Sequence, residues 1–166
     1  TVTATDTDTD DSSIVFSVSG SELAITSGGV LTFVSAPDYE TKSSYTATVT
    51  ASDGNNSATQ DITVNITDAN DSAPVFTSSA TFSVAENQTS IGTITTTDPD
   101  NDTVTYSLSG TDASSISINS SSGVLTFNSA PDYETKTSYA ATVTVSDGTN
   151  SVTQNITVSI TNVVND

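Results

Sequence analysis

Residues 35–42 read SAPDYETK, and residues 129–136 read SAPDYETK again, 94 positions later. Outward from this octapeptide, residues 35–66 and 129–160 are identical at 25 of 32 positions. Self-similarity at a fixed spacing marks a tandem array. A period of 94 residues is the size of a small domain, so each copy is predicted to fold as a complete unit, unlike a solenoid turn that needs its neighbours.

The first copy starts late. Residues 75–92 (VFTSSATFSVAENQTSIG) have no counterpart before Thr1, and the chain contains no Met. We therefore expect a window cut from a longer array, with residues 1–71 a repeat lacking its first strand or strands and residues 72–166 a complete one. The connection, residues 68–74 (DANDSAP), is short and polar and ends in Pro, which predicts a semi-rigid linker.

Strand signals are clear and helix signals are absent. Tyr45, Ala47, Val49 and Ala51 alternate with Thr46, Thr48, Thr50 and Ser52. Ile62, Val64 and Ile66 alternate with Thr63, Asn65 and Thr67. Tyr139, Ala141, Val143 and Val145, then Ile156, Val158 and Ile160, repeat the pattern. A period of two turns one row inward and the Thr/Ser row outward. The tetrads 53–56 (DGNN) and 147–150 (DGTN) read as hairpin loops. Shorter strands are predicted at 14–18, 30–34, 75–76, 81–85, 104–108 and 124–127. About seven short strands per period with regular turns indicate an all-β chain of Greek-key, Ig-like, seven-stranded sandwiches. Phe16, Phe33 and Tyr45, with Tyr106, Phe127 and Tyr139, are predicted to supply the large core side chains.

The formal charge is −18, from 20 acids against Lys42 and Lys136 alone. Phosphate contacts require Lys and Arg, so this balance speaks against nucleic acid and against an anionic membrane surface. Self-repulsion of this size suggests that cations belong to the native state. Without Cys or His, disulfides and the usual zinc, copper and iron sites are ruled out. No apolar run reaches the length of a membrane span, so no membrane insertion is expected.

Carboxylates recur at matching places. Asp6 and Asp8 match Asp98 and Asp100; Asp38 and Glu40 match Asp132 and Glu134; Asp53 matches Asp147; the linker adds Asp68 and Asp71. In an extended segment D-x-D and D-x-E set two carboxylates on one side. Hard cations such as Ca²⁺ take roughly six to eight oxygens from carboxylates, amides and carbonyls. Each motif also has a plain reading: Asp-Gly as a turn, D-P-D as a solvated loop, Asp38 and Asp132 as caps of the turns after Pro37 and Pro131.

The order E-N at Glu86-Asn87, D-x-D, P-D-Y-E, S-D-G and D-x-N-D-x-x-P resembles the extracellular cadherin repeat. Glu86, Asp98 with Asp100, Asp132 with Glu134, Asp147-Gly148 and residues 68–74 carry the resemblance, which spans nearly all of the second copy and most of the first. Ser72 stands where the family has Asn, and P-D-Y-E replaces L-D-R-E, a form associated with bacterial cadherin-like repeats. The resemblance implies Ca²⁺ at each junction between repeats. It implies a complete junction from Asp38, Glu40, Asn70, Asp71, Asp98, Asp100 and Asp147, with Ala69 and Ser72 contributing backbone carbonyls. Asp6, Asp8 and Asp53 would be half of an upstream junction, and Glu86, Asp132, Glu134, Asn165 and Asp166 half of a downstream one. It gives Asp10 and Asp102 no role.

The expected function is a calcium-rigidified extracellular module of a surface adhesin, stalk or filament. Its partners would be neighbouring similar repeats and homophilic or other cell-surface proteins. The alternative is a glycan- or protein-binding sandwich, which the inward placement of the aromatics disfavours. An enzyme is not expected: the pair Asp38 and Glu40 lacks an activated nucleophile nearby and is duplicated in the second copy.

Overall fold

The computed structural model describes residues 1–7 and 14–164. Among these, strands and turns account for the fold, with one 3₁₀ turn at Ala113–Ser115 and no α-helix. The chain divides into two compact units, Thr1–Ala69 and Asn70–Asp166.

The first unit contains β1 (Val15–Val18), β2 (Leu23–Ile25), β3 (Leu31–Phe33), β4 (Ser44–Ser52) and β5 (Ser57–Asn65). β4 and β5 are the alternating rows around the DGNN turn. They pair antiparallel, with Tyr45 opposite Val64 and Ala47 opposite Ile62. β1 completes an antiparallel sheet in the order β1-β4-β5. β2 and β3 form a second ladder. Leu23 and Val49 are buried, and the rings of Phe33 and Tyr45 meet edge-on at 5.0 Å.

The second unit contains β6 (Val75–Phe76), β7 (Thr81–Ala85), β8 (Ser90–Thr93), β9 (Thr96–Thr97), β10 (Thr105–Ser109), β11 (Ile116–Ile118), β12 (Val124–Phe127), β13 (Ser138–Ser146) and β14 (Ser151–Thr161). If β6 with β7, and β8 with β9, are each counted as one broken strand, seven strands remain, as expected. One sheet runs β10-β13-β14-β7 and another β11-β12-β8. Their apolar rows meet in one core, which includes Val84, Leu125, Phe127, Val143, Val145, Ile156 and Val158. The β14–β7 pairing is parallel, with Val158 opposite Phe82, so the first and last strands of the unit lie side by side.

That edge strand explains a difference between two nearly identical sequences. Ile156, Val158 and Ile160 are buried, whereas their counterparts Ile62, Val64 and Ile66 are half-buried. Among the described residues, β5 has no strand on its outer edge. Of the expected core aromatics, Tyr106 and Phe127 are buried, while Phe16, Phe33, Tyr45 and Tyr139 are half-buried.

The two Lys residues serve packing. Lys42 sits 4.6 Å over the Tyr45 ring and pairs with Glu22 at 2.6 Å. Lys136 sits 4.7 Å over Tyr139 and pairs with Asp112. The cation–π contacts thus hold each SAPDYETK segment to the strand that follows it, and the ion pairs tie it back to Glu22 or Asp112 earlier in the chain.

A glycine fixes the approach to the D-x-D segments. Gly123 has φ 70, and a Cβ there would lie 2.3 Å from the Ile94 carbonyl oxygen. Gly29, at φ 79, bears the same relation to Val2. The close approach lets Ile94 N–H donate to Gly123 O at 2.9 Å and Val2 N–H donate to Gly29 O at 2.8 Å. Four residues beyond Ile94 and Val2 come Asp98 and Asp6.

Candidate metal centre

The D-x-D segment of the second unit is a turn. Asn101 N–H donates to Asp98 O at 3.2 Å, Pro99 supplies the fixed φ that this turn favours, and Asn101 takes φ 61, a left-handed conformation that Asn tolerates. Asp98 Oδ1 accepts from the N–H groups of Asp100 (3.0 Å) and Asp102 (3.2 Å). Asp100 Oδ2 accepts from the N–H groups of Asp71 (3.1 Å) and Ser72 (2.9 Å). Each carboxylate therefore has one oxygen pinned by backbone donors. The other oxygen of each, Asp98 Oδ2 and Asp100 Oδ1, is buried with no hydrogen-bond donor. Such an orphaned charged acceptor is costly unless a cation or another donor satisfies it. Oxygens of Asp98, Asp100 and Asp102 lie within 4.8 Å of one another.

The hairpin between β13 and β14 brings up Asp147. Its Oδ1 accepts from Thr149 N–H at 2.7 Å and Asn150 N–H at 2.5 Å. Burial raises the Asp147 pKa, but the combined donors, led by the Asn150 and Thr149 N–H groups and joined by the Asn150 and Asn70 side chains, hold it below the usual carboxylate value. Asn70 Nδ2 donates to the Asp147 main-chain oxygen at 3.3 Å. Asn150 Nδ2 reaches Asn70 Oδ1 (3.1 Å), Asp147 Oδ2 (3.3 Å) and Ser72 O (3.4 Å). Residues 70–72 thus belong to the second unit through Asp100, Asp147 and Asn150. Within this unit the structure gathers Asn70, Asp71, Ser72, Asp100 and Asp147, and Asp98 adjoins Asp100.

A second cluster in the same unit joins Glu86, Asp132 and Glu134, whose oxygens also lie within 4.8 Å of one another. Buried Glu86 accepts from Tyr133 N–H (3.1 Å) and Val163 N–H (2.8 Å). Asp132 acts as a turn cap as well: Oδ2 accepts from the Thr135 hydroxyl (2.8 Å) and Oδ1 from Glu134 N–H (3.0 Å). The Thr135 hydroxyl is the main cause of its lowered pKa. Asn165 and Asp166, expected beside this cluster, lie outside the described residues.

In the first unit Asp38 caps its own turn. It accepts from the N–H groups of Glu40 (3.0 Å) and Thr41 (3.2 Å) and from the Thr41 hydroxyl (2.8 Å). The Thr41 hydroxyl leads the interactions that lower its pKa. Glu40 and Ala69 are exposed. Asp53 repeats the Asp147 loop, accepting from Asn55 N–H (2.7 Å) and Asn56 N–H (2.6 Å). These N–H groups lower its pKa, led by that of Asn56, while nearby Asp6 opposes them. Asp6 and Asp53 line one surface depression with Asn56. Asp8 and Asp10 lie outside the described residues.

Sequence reasoning read Asn150 only as part of a hairpin loop and left Asp102 without a role. Asn150 recurs as Asn56, and Asp102 continues the D-x-D alternation by one step. Both were signals available in the sequence.

Calcium, the ion implied by the resemblance, fits the donors. All are oxygens, several are charged, and two buried ones lack any donor. That arrangement suits a hard cation.

Residues 80–161 match the cadherin domain family. Mouse and human Protocadherin Fat 4 are 33% and 34% identical over 132 residues, 74% of this chain. The chain spans about 3% of the length of these curated relatives. Among solved structures, mouse Cadherin-23 EC22-24 aligns with TM-score 0.79 at 26% identity, covering 90% of this chain and 53% of that one. Protocadherin gammaB7 EC3-6, described as a cis-dimer, aligns with TM-score 0.75 at 31% identity, covering 90% and 40%.

Proposed function

The chain belongs to the cadherin-repeat family, and on that premise we propose that it is a calcium-stiffened segment of an extracellular adhesion protein. Two buried carboxylate oxygens without donors, Asp98 Oδ2 and Asp100 Oδ1, carry this reading. Asn70, Asp71, Asp98, Asp100, Asp147 and the Ser72 carbonyl of the second unit would hold the ion. By motif order, Asp38, Glu40 and the Ala69 carbonyl of the first unit would join them. Asp6, Asp8 and Asp53, and likewise Glu86, Asp132, Glu134, Asn165 and Asp166, would serve junctions to further repeats.

Bound calcium supplies positive charge that offsets the crowded carboxylates. The chain's own residues do the positioning. Asp100 clamps the linker through Asp71 and Ser72 N–H, and Asn150 ties Asn70 to the Asp147 loop. Binding that needs both units favours their ordered arrangement by mass action. The product is reach and stiffness, suited to a surface adhesin, stalk or filament whose partners are like repeats or cell-surface proteins. No helix among the described residues is long and apolar enough to cross a membrane.

The test compares limited proteolysis at residues 66–74 and small-angle scattering in millimolar calcium and in chelator. Protection and a narrower distance distribution in calcium are expected. Identical cleavage and scattering in both would reject the proposal.

A further inference from the structure

We propose that Asp102 is the third carboxylate of a divalent-cation site that it forms with Asp98 and Asp100, wholly within the second unit. The inference rests on the calcium reading above and deepens it by naming a ligand that the family pattern leaves without a role.

In an extended strand, alternate side chains stand roughly 7 Å apart. Here the turn at Pro99 and the left-handed Asn101 fold the segment back, so oxygens of Asp98, Asp100 and Asp102 come within 4.8 Å of one another. Asp102 N–H donates to Asp98 Oδ1 at 3.2 Å, which fixes residue 102 beside residue 98. The independent pointer to a ligand is Asp100. It is 7% exposed, its Oδ2 is spent on two backbone donors, and its Oδ1 is buried with no partner. Asp98 Oδ2 is in the same state. Water would supply hydrogen bonds but no charge, whereas a cation supplies both what these oxygens lack and what three adjacent carboxylates require.

Asp102 is exposed, so one side of the site stays open to solvent and bound water. Carboxylate-rich, flexible coordination of this kind suits Ca²⁺ better than Mg²⁺, which demands a stricter octahedron. The spacing is also repeated in sequence: Asp6, Asp8 and Asp10 follow the same D-x-D-x-D pattern as Asp98, Asp100 and Asp102.

The test is isothermal titration of the full chain with calcium chloride alone. Three proteins are compared: wild type, Asp102→Asn, and the double variant Asp38→Asn, Glu40→Gln. We expect Asp102→Asn to weaken one class of site by roughly tenfold, because ligand charge count sets affinity in carboxylate sites. The circular dichroism of its calcium-free form should match wild type. Wild-type affinity and stoichiometry in Asp102→Asn would overturn the role of Asp102 and leave the calcium reading standing. Weakening by Asp102→Asn with an unaffected double variant would support the Asp102 site and overturn the first-unit contribution. No binding by wild type would overturn both.

Discussion

Ser72 N–H donates to Asp100 Oδ2 at 2.9 Å, while Oδ1 of the same carboxylate is buried without a donor. One side chain thus anchors the linker and presents an unsatisfied charge. Asp100→Asn keeps an acceptor for the linker and replaces the orphan oxygen by an amide. Without calcium, the melting temperature of the variant is expected to equal or exceed wild type, because like-charge repulsion falls. In calcium the order reverses: wild type gains about 2.7 kcal/mol per site at a hundredfold excess over Kd, and the variant gains little. Thermal melts in chelator and in calcium read the reversal. A variant that melts below wild type in chelator would contradict the assignment.

Asn150 ties three acceptors together with one amide group. Asn150→Ala should cost about 1 kcal/mol and speed hydrogen exchange at residues 70–73, with strands β13 and β14 unaffected. Unchanged exchange at the linker would mean that Asp100 alone holds it.

Ile156 and Ile62 occupy the same place in the two repeats, yet Ile156 is 1% exposed and Ile62 half-buried. Ile156→Ala should cost about 2–5 kcal/mol, and Ile62→Ala less than about half as much. Hydrogen exchange resolved by unit measures each separately. Equal penalties would show that β7 adds nothing to the burial of β14.

Lys136 is 41% exposed at its side chain, and its partner Asp112 is 13% exposed. With the Tyr139 contact included, Lys136→Met should cost about 1–2 kcal/mol after screening at the exposed end. The pair also sets a pH dependence. The Lys136 side chain first, then Ala140 N–H, hold the Asp112 pKa below the usual 3.8 against the opposing effect of burial. A carboxylate with a lower pKa folded than unfolded contributes stability above its unfolded pKa, lost as pH falls through the folded one. Melting temperature should therefore fall more steeply below about pH 4 in wild type than in Lys136→Met. Parallel acid limbs would contradict this.

Much of the architecture was legible because local rules carry it. The rows ending at Ser52 and Ser146, and the DG turns after them, mark β4–β5 and β13–β14 by alternation and turn chemistry alone. Strands 75–76, 81–85 and 124–127 fell where expected. β2, β11, β8 and β9 did not announce themselves. Leu23–Ile25 and Ile116–Ile118 are three residues long, too short for a period, and β8 contains Gly92. The parallel β14–β7 pairing joins residues about as far apart as the unit allows, and no local signal specifies it. The acidic motifs located the candidate site, but their double duty was hidden. Asp38 and Asp132 cap turns as the plain reading had it, while Asp98 and Asp100 divide their oxygens between backbone donors and an unmet need. That division depends on the Asn101 turn and on where residues 71–72 settle.

The most direct test is a diffraction map of the chain crystallised in millimolar calcium, inspected around Asp98 and Asp100. The expected result is a strong peak about 2.3–2.6 Å from Asp98 Oδ2 and Asp100 Oδ1, with an anomalous signal after exchange for a heavier lanthanide. Water-level density hydrogen-bonded to those oxygens, with no anomalous peak, would contradict the account.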